Sequence, residues 1–414
     1  MPTVQSLHSD KRKNSSLVDL DKLNSEINIL ISDITYEILR DSPTLVTEVN
    51  NGTISEQVLE KSIIQIIDKN KYYIGKDRQK VIEKVFDFMF KYGPLQSYVE
   101  DDSISDIDGT RYDNFTIKRY GKRERIAVNF GNEKIFENYC KIIALRNGGI
   151  LNENDTHCRI SDEKNRLRVN LSIPPRNLSG PAISIRKHPK ENYTFEKLIS
   201  LGMMNENVAN YLKDLSRSNK SILICGKGGS GKTTLLRAIV DYADEMERIL
   251  IAESDSEIYP KKPNCIVQRV KKKNEGGIPV TLLDLIIDGL TMSLDTYVVG
   301  ELTDGVAWYF IIAGFTGHRV MATTHTWSAE GALPRMLTLA KMAQISESEK
   351  TIKEMIATSI DIVIHMDDFK VDEIIEVLSY DPYTDNYRIN RLYKYNKAMS
   401  NYECYKSCFV EKIK

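Results

Sequence analysis

The chain is 414 residues long, enough for two or three domains of ~100–200 residues each. Hydrophobic residues make up 41% and charged residues 28%, a composition that excludes a largely disordered or fibrous chain. A formal net charge of −1 excludes a global attraction to nucleic acid or to an anionic membrane. Because no apolar run approaches the ~20 residues that span a bilayer, and the N-terminus lacks the apolar core of a signal peptide, we expect a cytoplasmic protein.

The N-terminal part is predicted to be helical. Residues 1–16 are polar and basic, which is typical of a disordered tail. From 17 to 92 apolar residues recur at helical spacing, which predicts a small bundle whose role is open, with docking as the simplest hypothesis. The apolar positions include Leu17, Leu20, Leu23, Ile27, Leu30, Ile63, Ile67, Val81, Val85 and Met89.

The segment from about 93 to 190 alternates short β-like runs with turns. Strands are expected at 115–119, 125–130, 167–173 and 182–186, with one helix at 134–146. This pattern predicts a small α+β domain with an antiparallel sheet, followed by a linker from His188.

From about 191 onward, strands and helices alternate, which predicts an α/β domain with a mostly parallel sheet and helices on both faces. The expected strands lie at 222–225, 248–253, 265–270, 296–301, 320–324 and 361–365. Six scattered cysteines favour free thiols in a reducing compartment. The lone pair Cys404 and Cys408 lacks the further ligands that a zinc site needs.

The segment Gly226–Thr234 matches G-x-x-x-x-G-K-[ST], the pattern of a phosphate-binding P-loop. Its glycines let successive backbone N–H groups point into one concavity, and the following helix adds unpaired N–H groups and its positive dipole end. Lys232 is placed to reach the β- and γ-phosphates, and the Thr233 hydroxyl to bind Mg²⁺. The candidate nucleotide-binding residues are Gly226, Lys227, Gly228, Gly229, Ser230, Gly231, Lys232, Thr233 and Thr234.

Acidic residues follow two of the predicted strands. Glu301 comes after an apolar run and is a candidate for orienting the attacking water beside the γ-phosphate, although an ordinary strand-end carboxylate is the alternative. Glu253, Asp255 and Glu257 form a second cluster, which either helps the chemistry, with Glu253 or Glu257 holding Mg²⁺ through water, or is a solvated loop.

Two histidines stand at the ends of the predicted strand 320–324. His325 is a candidate to sense the γ-phosphate or to hydrogen-bond Glu301, and a purely structural role is the alternative. His318 lies at the other end of the strand.

Together these segments resemble the secretion ATPases of type II and type IV secretion and type IV pilus machines. The similarity is to the branch that includes the CpaF-like Tad pilus ATPases and the VirB-class ATPases, and it runs from about residue 92 to 380. Four motifs carry it in the family's order, namely a Walker A at 226–234, an acidic box at 252–257, a Walker B at 299–301 and a histidine box at 317–325.

The resemblance implies a hexameric, Mg²⁺-dependent ATPase that acts with inner-membrane platform proteins and is thereby held at the cytoplasmic membrane; no specific nucleic-acid partner is expected. It implies a PAS-like domain at 93–190 and a RecA-like P-loop ATPase domain at 191–414, with nucleotide between them, preceded by the tail 1–16 and the helical region 17–92. Arg159, Arg168 and Arg186 are the implied charge-neutralising arginines.

Some positions depart from the family pattern. Ser254 follows Glu253 where the family has an aspartate, and Thr303 and the segment 291–295 lack expected arginines. Less positive charge near phosphate predicts lower turnover. Two alternatives therefore stay open, a weakly hydrolysing nucleotide-binding scaffold and a nucleic-acid-linked RecA-like ATPase.

Overall fold

A computed structural model describes residues 29–405, apart from positions 39, 43, 51, 71–77, 190–192 and 276. The chain separates into two compact units, one that runs to Pro189 and includes Lys273–Gly277, and one formed by the remainder. Each unit has its own sheet. The predicted tail 1–16, the apolar positions between 17 and 27, and Cys408 lie outside the described residues.

The helices of the first unit begin with α1, which covers residues 29–38. They continue as α2 (Leu45–Asn50), α3 (Glu56–Lys69), α4 (Arg78–Phe90), α5 (Gln96–Glu100) and α6 (Glu133–Arg146). Local sequence explains α3, because Ser55 caps it by accepting from the Gln57 N–H, Glu56 lies in its first turn and Lys69 in its last. Its buried side chains, Leu59, Ile63, Ile66 and Ile67, recur at helical spacing and therefore form one stripe.

The sheet of the first unit is antiparallel throughout. Its strands are β1 (Ile104–Arg111), β2 (Asn114–Arg119), β3 (Lys122–Ile126), β4 (His157–Asp162), β5 (Leu167–Ser172) and β6 (Ala182–Lys187). They lie in the order β3-β2-β1-β6-β5-β4. Alternate residues of β4, β5 and β6 are buried, and the buried face shares one hydrophobic core with the helices.

The second unit contains a nine-stranded sheet. Its strands are β7 (Ile222–Gly226), β8 (Ile249–Glu253), β9 (Cys265–Arg269), β10 (Thr296–Val299), β11 (Arg319–Thr324), β12 (Ile362–Asp367), β13 (Lys370–Asp381), β14 (Asn386–Asn396) and β15 (Asn401–Cys404). The order is β15-β14-β13-β12-β7-β11-β10-β8-β9. The six neighbouring strands β12-β7-β11-β10-β8-β9 run parallel to one another. The strands β13, β14 and β15 extend the sheet beyond β12 by antiparallel pairing.

Helices cover both faces of this sheet, which completes the α/β architecture expected of a RecA-like domain. One face packs against α7 (Phe195–Ser200), α8 (Glu206–Ser216) and α9 (Lys232–Tyr242). The other face packs against α10 (Leu282–Gly289), α11 (Val306–Phe315), α12 (Ala332–Lys341) and α13 (Glu349–Ser359). Every residue of β7, β8, β10 and β11 is buried, as expected of parallel strands covered on both sides.

All six strands predicted for the second half of the chain are present, with ends shifted by one or two residues. The antiparallel extension β13–β15 was not predicted, nor were β1 and β4, and the predicted run 125–130 is a strand only as far as Ile126. Among the described residues, no helix is both long and apolar enough to cross a membrane.

Candidate nucleotide site

The P-loop joins β7 to α9 at the carboxyl edge of the second unit's sheet. β7 ends at Gly226 and α9 begins at Lys232. A Cβ on Gly226 would lie 2.2 Å from the Met366 carbonyl oxygen of β12, so this position has no room for a side chain. Gly231 has a φ of 93°, a left-handed conformation that glycine adopts without strain. The loop's backbone path therefore requires these glycines.

Lys232 is the buried cation of the loop. Its Nζ donates to the carbonyl oxygens of Gly226 (3.1 Å) and Lys227 (2.8 Å). The same Nζ lies 3.5 Å from Nδ1 of His325. Burial lowers the pKa of Lys232, and the nearby Glu301 carboxylate acts in the opposite direction. Thr233, the next residue, lies in the first turn of α9.

Glu301 and His325 meet beside Lys232. β10 and β11 are parallel neighbours, with Val299 opposite Ala322, so the residues that follow them emerge at the same edge. Glu301 Oε1 lies 2.8 Å from His325 Nε2, and the two side chains are 44% and 47% exposed. The structure thus joins three of the candidate residues, Lys232, His325 and Glu301, in one chain of contacts.

Glu253 ends β8 and turns inward. Its Oε1 accepts hydrogen bonds from the backbone N–H groups of Glu257 (3.1 Å) and Ile258 (2.9 Å). The residue is only 2% exposed. Burial raises the pKa of its carboxyl to about 8 despite these two hydrogen bonds, so Glu253 holds its proton near neutral pH.

The other members of the predicted acidic and histidine segments have different surroundings. Asp255 is buried and forms an ion pair with Lys272. Glu257 acts electrostatically on both Glu253 and Lys232. His318 lies at the opposite edge of the sheet from His325, where its ring packs edge-on against Tyr297 with centroids 5.1 Å apart. The structure therefore does not bring His318 to the P-loop.

The three candidate arginines belong to the first unit, where they share one face of its sheet. Arg168 on β5 lies directly opposite Arg186 on β6, and Arg159 on β4 lies opposite Asn170 of β5. Asn170 is two residues from Arg168, and alternate residues of a strand face the same side. This is the polar face, where Arg186 Nε lies 3.2 Å from Asp106.

Two threonines were missed by the sequence reasoning. Thr323 Oγ1 donates to the Gly300 carbonyl at 2.7 Å, and Thr324 Oγ1 donates to the Leu302 carbonyl at 3.3 Å. These bonds hold both sides of Glu301 against the end of β11. The signal was available, because two hydroxyl residues end a buried strand immediately before His325.

Comparison with known proteins identifies the class. Residues 152–373 match the model of the family described as Type II/IV secretion system protein. The Type IV secretion system protein VirB11 of Bartonella henselae is 27% identical over 345 residues, which cover 73% of this chain and 95% of that protein. A putative conjugal transfer protein of Mycobacterium tuberculosis is 24% identical and covers 66% of this chain and 79% of its own length. The solved ATPase DotB of Legionella pneumophila is 17% identical over 74% of this chain and 81% of its own, with a TM-score of 0.48.

Because the family model matches more than half of the chain, the chain belongs to the type II/IV secretion system protein family. Its class of activity is ATP hydrolysis, and it uses a nucleotide.

Proposed function

We propose that this protein is a hexameric, Mg²⁺-dependent motor ATPase that couples ATP hydrolysis to assembly of a Tad-like type IV pilus or to type II/IV secretion. The observation that supports it is the contact chain Lys232–His325–Glu301 at the mouth of an intact P-loop. One relative, of which the match covers 95% of the length, is a type IV secretion system protein.

Each member of the site receives a role from its chemistry. The backbone N–H groups of Gly226–Thr234 and the start of α9 cradle the phosphates, and Lys232 moves its ammonium from the loop carbonyls to the β- and γ-phosphates. Glu301 orients the attacking water. His325, already bonded to both Lys232 and Glu301, adjusts the carboxylate to the presence of the γ-phosphate.

The residues beside the P-loop fit a magnesium ion. Mg²⁺ binds through one or two protein oxygens together with substrate phosphates and waters, so it needs no protein cage. Thr233 offers a hydroxyl in the first turn of α9, and Glu253 offers a buried carboxyl whose raised pKa a cation would lower. Glu257 is the second candidate to reach the ion through water. The ion would neutralise charge that develops on the phosphates.

The first unit completes the proposal. We assign a PAS-like character to residues 93–190 and the ATPase role to 191–414, with the tail 1–16 and the helical region 17–92 before them. Arg159, Arg168 and Arg186 are proposed to neutralise phosphate charge, and their common position on one sheet face supports a shared role. The protein would act in the cytoplasm, held at the membrane by platform proteins of the machine.

The test is a pair of variants with two readouts. Glu301→Gln should bind ATP with wild-type affinity while hydrolysis falls by at least ~10²-fold, because the amide cannot orient water as the carboxylate does. Lys232→Ala should instead weaken nucleotide binding. Unchanged turnover in Glu301→Gln would remove this residue from its role, and light scattering of the purified protein checks the hexamer.

The alternatives differ in the same assay. A scaffold would bind ATP but hydrolyse it at a rate that Glu301→Gln does not change; Thr303, in place of an expected arginine beside Glu301, is the feature that favours it. A nucleic-acid-linked ATPase would be strongly stimulated by DNA, and the near-zero net charge argues against it.

A further inference from the structure

Lys227 is a second lysine of the P-loop, and its side chain turns outward from the loop. Its Nζ lies 3.7 Å from Asp367 Oδ1 at the end of β12 and 5.1 Å from the ring centroid of Trp327. Trp327 follows His325 by two residues and is 81% exposed. All three side chains line a pocket of about 340 Å³ beside the loop.

We call the position of Lys227 between these two side chains the Trp327–Asp367 seat, and its contacts hold the lysine weakly. The lysine side chain is 57% exposed, and an ion pair or a cation–π contact at so exposed a position contributes little stability. Asp367 has a closer partner, because Lys397 Nζ lies 3.0 Å from its Oδ2. The hydrogen bond from Lys397 is the main cause that lowers the pKa of Asp367, and the charge of Lys227 contributes less. Asp367 would therefore stay paired if Lys227 left.

The phosphate cradle lies within reach of Lys227. The carbonyl oxygen of Lys227 accepts the hydrogen bond from Lys232 Nζ at 2.8 Å, so the Lys227 backbone is one hydrogen bond from the ammonium that the loop directs inward. A lysine carries its ammonium on a flexible four-carbon stem, so rotation about the side-chain bonds of Lys227 can turn Nζ from Asp367 toward the loop.

The negative charge of a bound nucleotide would attract the Lys227 ammonium toward the loop. Glu301 and Glu257 both act electrostatically on Lys232, so negative charge is already present near the loop's inward cation. A polyphosphate that arrives beside them brings further negative charge, and a hydrogen bond from an ammonium to a phosphate oxygen is stronger than one between neutral groups. Lys227 is attached to the loop itself and is held only by an exposed, exchangeable seat.

We infer that the Lys227 ammonium is a further phosphate-contacting group of this ATPase, which leaves the Trp327–Asp367 seat when nucleotide binds. The inference rests on the proposed hydrolytic function. It adds the Lys227 side chain to a site in which this residue otherwise contributes only its backbone. Trp327 thereby becomes a reporter of the lysine's position, because removing an ammonium from the face of an indole changes the indole's surroundings.

The experiment uses the full chain with Trp308→Phe as background. The sequence contains two tryptophans, and one of them, Trp308, is buried in α11. With Trp308 replaced, the remaining tryptophan emission comes from Trp327 alone. ATP should change this emission. Lys227→Met should abolish the ATP-dependent change and lower kcat at least ~10-fold, with KM changing less, whereas Lys227→Arg should restore kcat to within ~3-fold.

Lys397→Met is the matched control, because it removes the other lysine of Asp367 without touching the loop; it should keep both the emission change and the wild-type kcat. Wild-type kcat in Lys227→Met overturns the inference, and so does a slow Lys227→Met enzyme that keeps the ATP-dependent change of Trp327. If the wild type binds ATP without hydrolysing it, the proposed function fails, while the emission change and its loss in Lys227→Met still decide whether the lysine moves.

Discussion

The two edges of the nine-stranded sheet use similar residues in opposite ways. At the amino edge, where β11 begins, Arg319 is 6% exposed and donates to Glu247 and to the carbonyl oxygens of Leu215, Ser216 and Lys220. At the carboxyl edge, just after the same strand ends, His325 and Glu301 are nearly half exposed and bond to each other.

The difference between the two edges separates charged side chains that stabilise the fold from charged side chains that are available to a ligand. Burial lowers the pKa of Arg319, but its carbonyl and carboxylate partners satisfy the guanidinium in place, so this charge serves the fold. The carboxyl edge keeps a lysine on exchangeable carbonyl partners and a carboxyl that burial leaves protonated. Parallel α/β sheets bind ligands at this edge, where side chains can change partners.

The largest expected effect lies at the amino edge. Arg319→Met removes one partner of a buried ion pair and takes the guanidinium donor away from the Ser216 and Leu215 carbonyls of α8, while Glu247 keeps only the neutral hydroxyl of Thr296 as a side-chain donor among the described residues. The free energy of unfolding should fall by about 3–5 kcal/mol. Urea unfolding followed by tryptophan emission measures it, since both tryptophans lie in the second unit.

Arg248→Met is the control for this experiment. Arg248 is exposed at the same edge, immediately before β8, so its loss should change stability by less than about 0.5 kcal/mol. Equal effects of the two substitutions would contradict the assignment of a stabilising role to Arg319.

Glu253 is the carboxyl-edge residue with the next largest effect. Glu253→Ala leaves the Ile258 N–H buried without its acceptor, which should cost about 1–3 kcal/mol of stability. Glu253→Gln keeps an acceptor oxygen and should fold normally.

The pH dependence of Glu253→Gln has a definite sign. A pKa raised to about 8 means that the protonated carboxyl is favoured in the folded state, so its stabilisation is complete below the unfolded value of about 4.5 and is lost as the pH rises toward 8. The amide does not titrate. In EDTA and without nucleotide, the melting temperature of the variant should therefore exceed that of the wild type by ~2 °C or more at pH 8, and this difference should shrink at pH 5. A constant difference would contradict the raised pKa.

The meeting of Glu301 and His325 was predictable from sequence, because both follow apolar strands and the ends of neighbouring parallel strands share an edge. The burial of Glu253 was not, since it depends on residues 254–258 folding back to present two N–H groups. The role of Arg319 was equally hidden, because its partners lie 72 to 104 residues earlier in the chain. β1 was not predicted because its sequence, ISDIDGTR, has too few apolar residues to show a clear alternation. Its pairing with β2 also contains register shifts, which the sequence does not reveal.

A smaller effect is expected at the other end of α8, the helix whose last carbonyls bind Arg319. Asn205 caps its first turn by accepting from the Val208 N–H at 3.0 Å. Asn205→Ala should lower the free energy of unfolding by about 1 kcal/mol, and Asn205→Asp should retain most of the cap. Urea unfolding of both variants tests whether the two ends of one helix differ in stabilisation as the two edges do.

The smallest effect on stability is expected at His325, whose effect on activity should be large. The His325–Glu301 contact is exposed on both sides, so His325→Ala should change the free energy of unfolding by less than about 0.5 kcal/mol. Turnover should fall at least ~10-fold, because Lys232 and Glu301 lose the group that joins them. Urea unfolding and steady-state ATP hydrolysis on the same preparations decide the point. A variant that loses several kcal/mol of stability and keeps its turnover would show that the carboxyl edge is built like the amino edge, with its charges serving the fold.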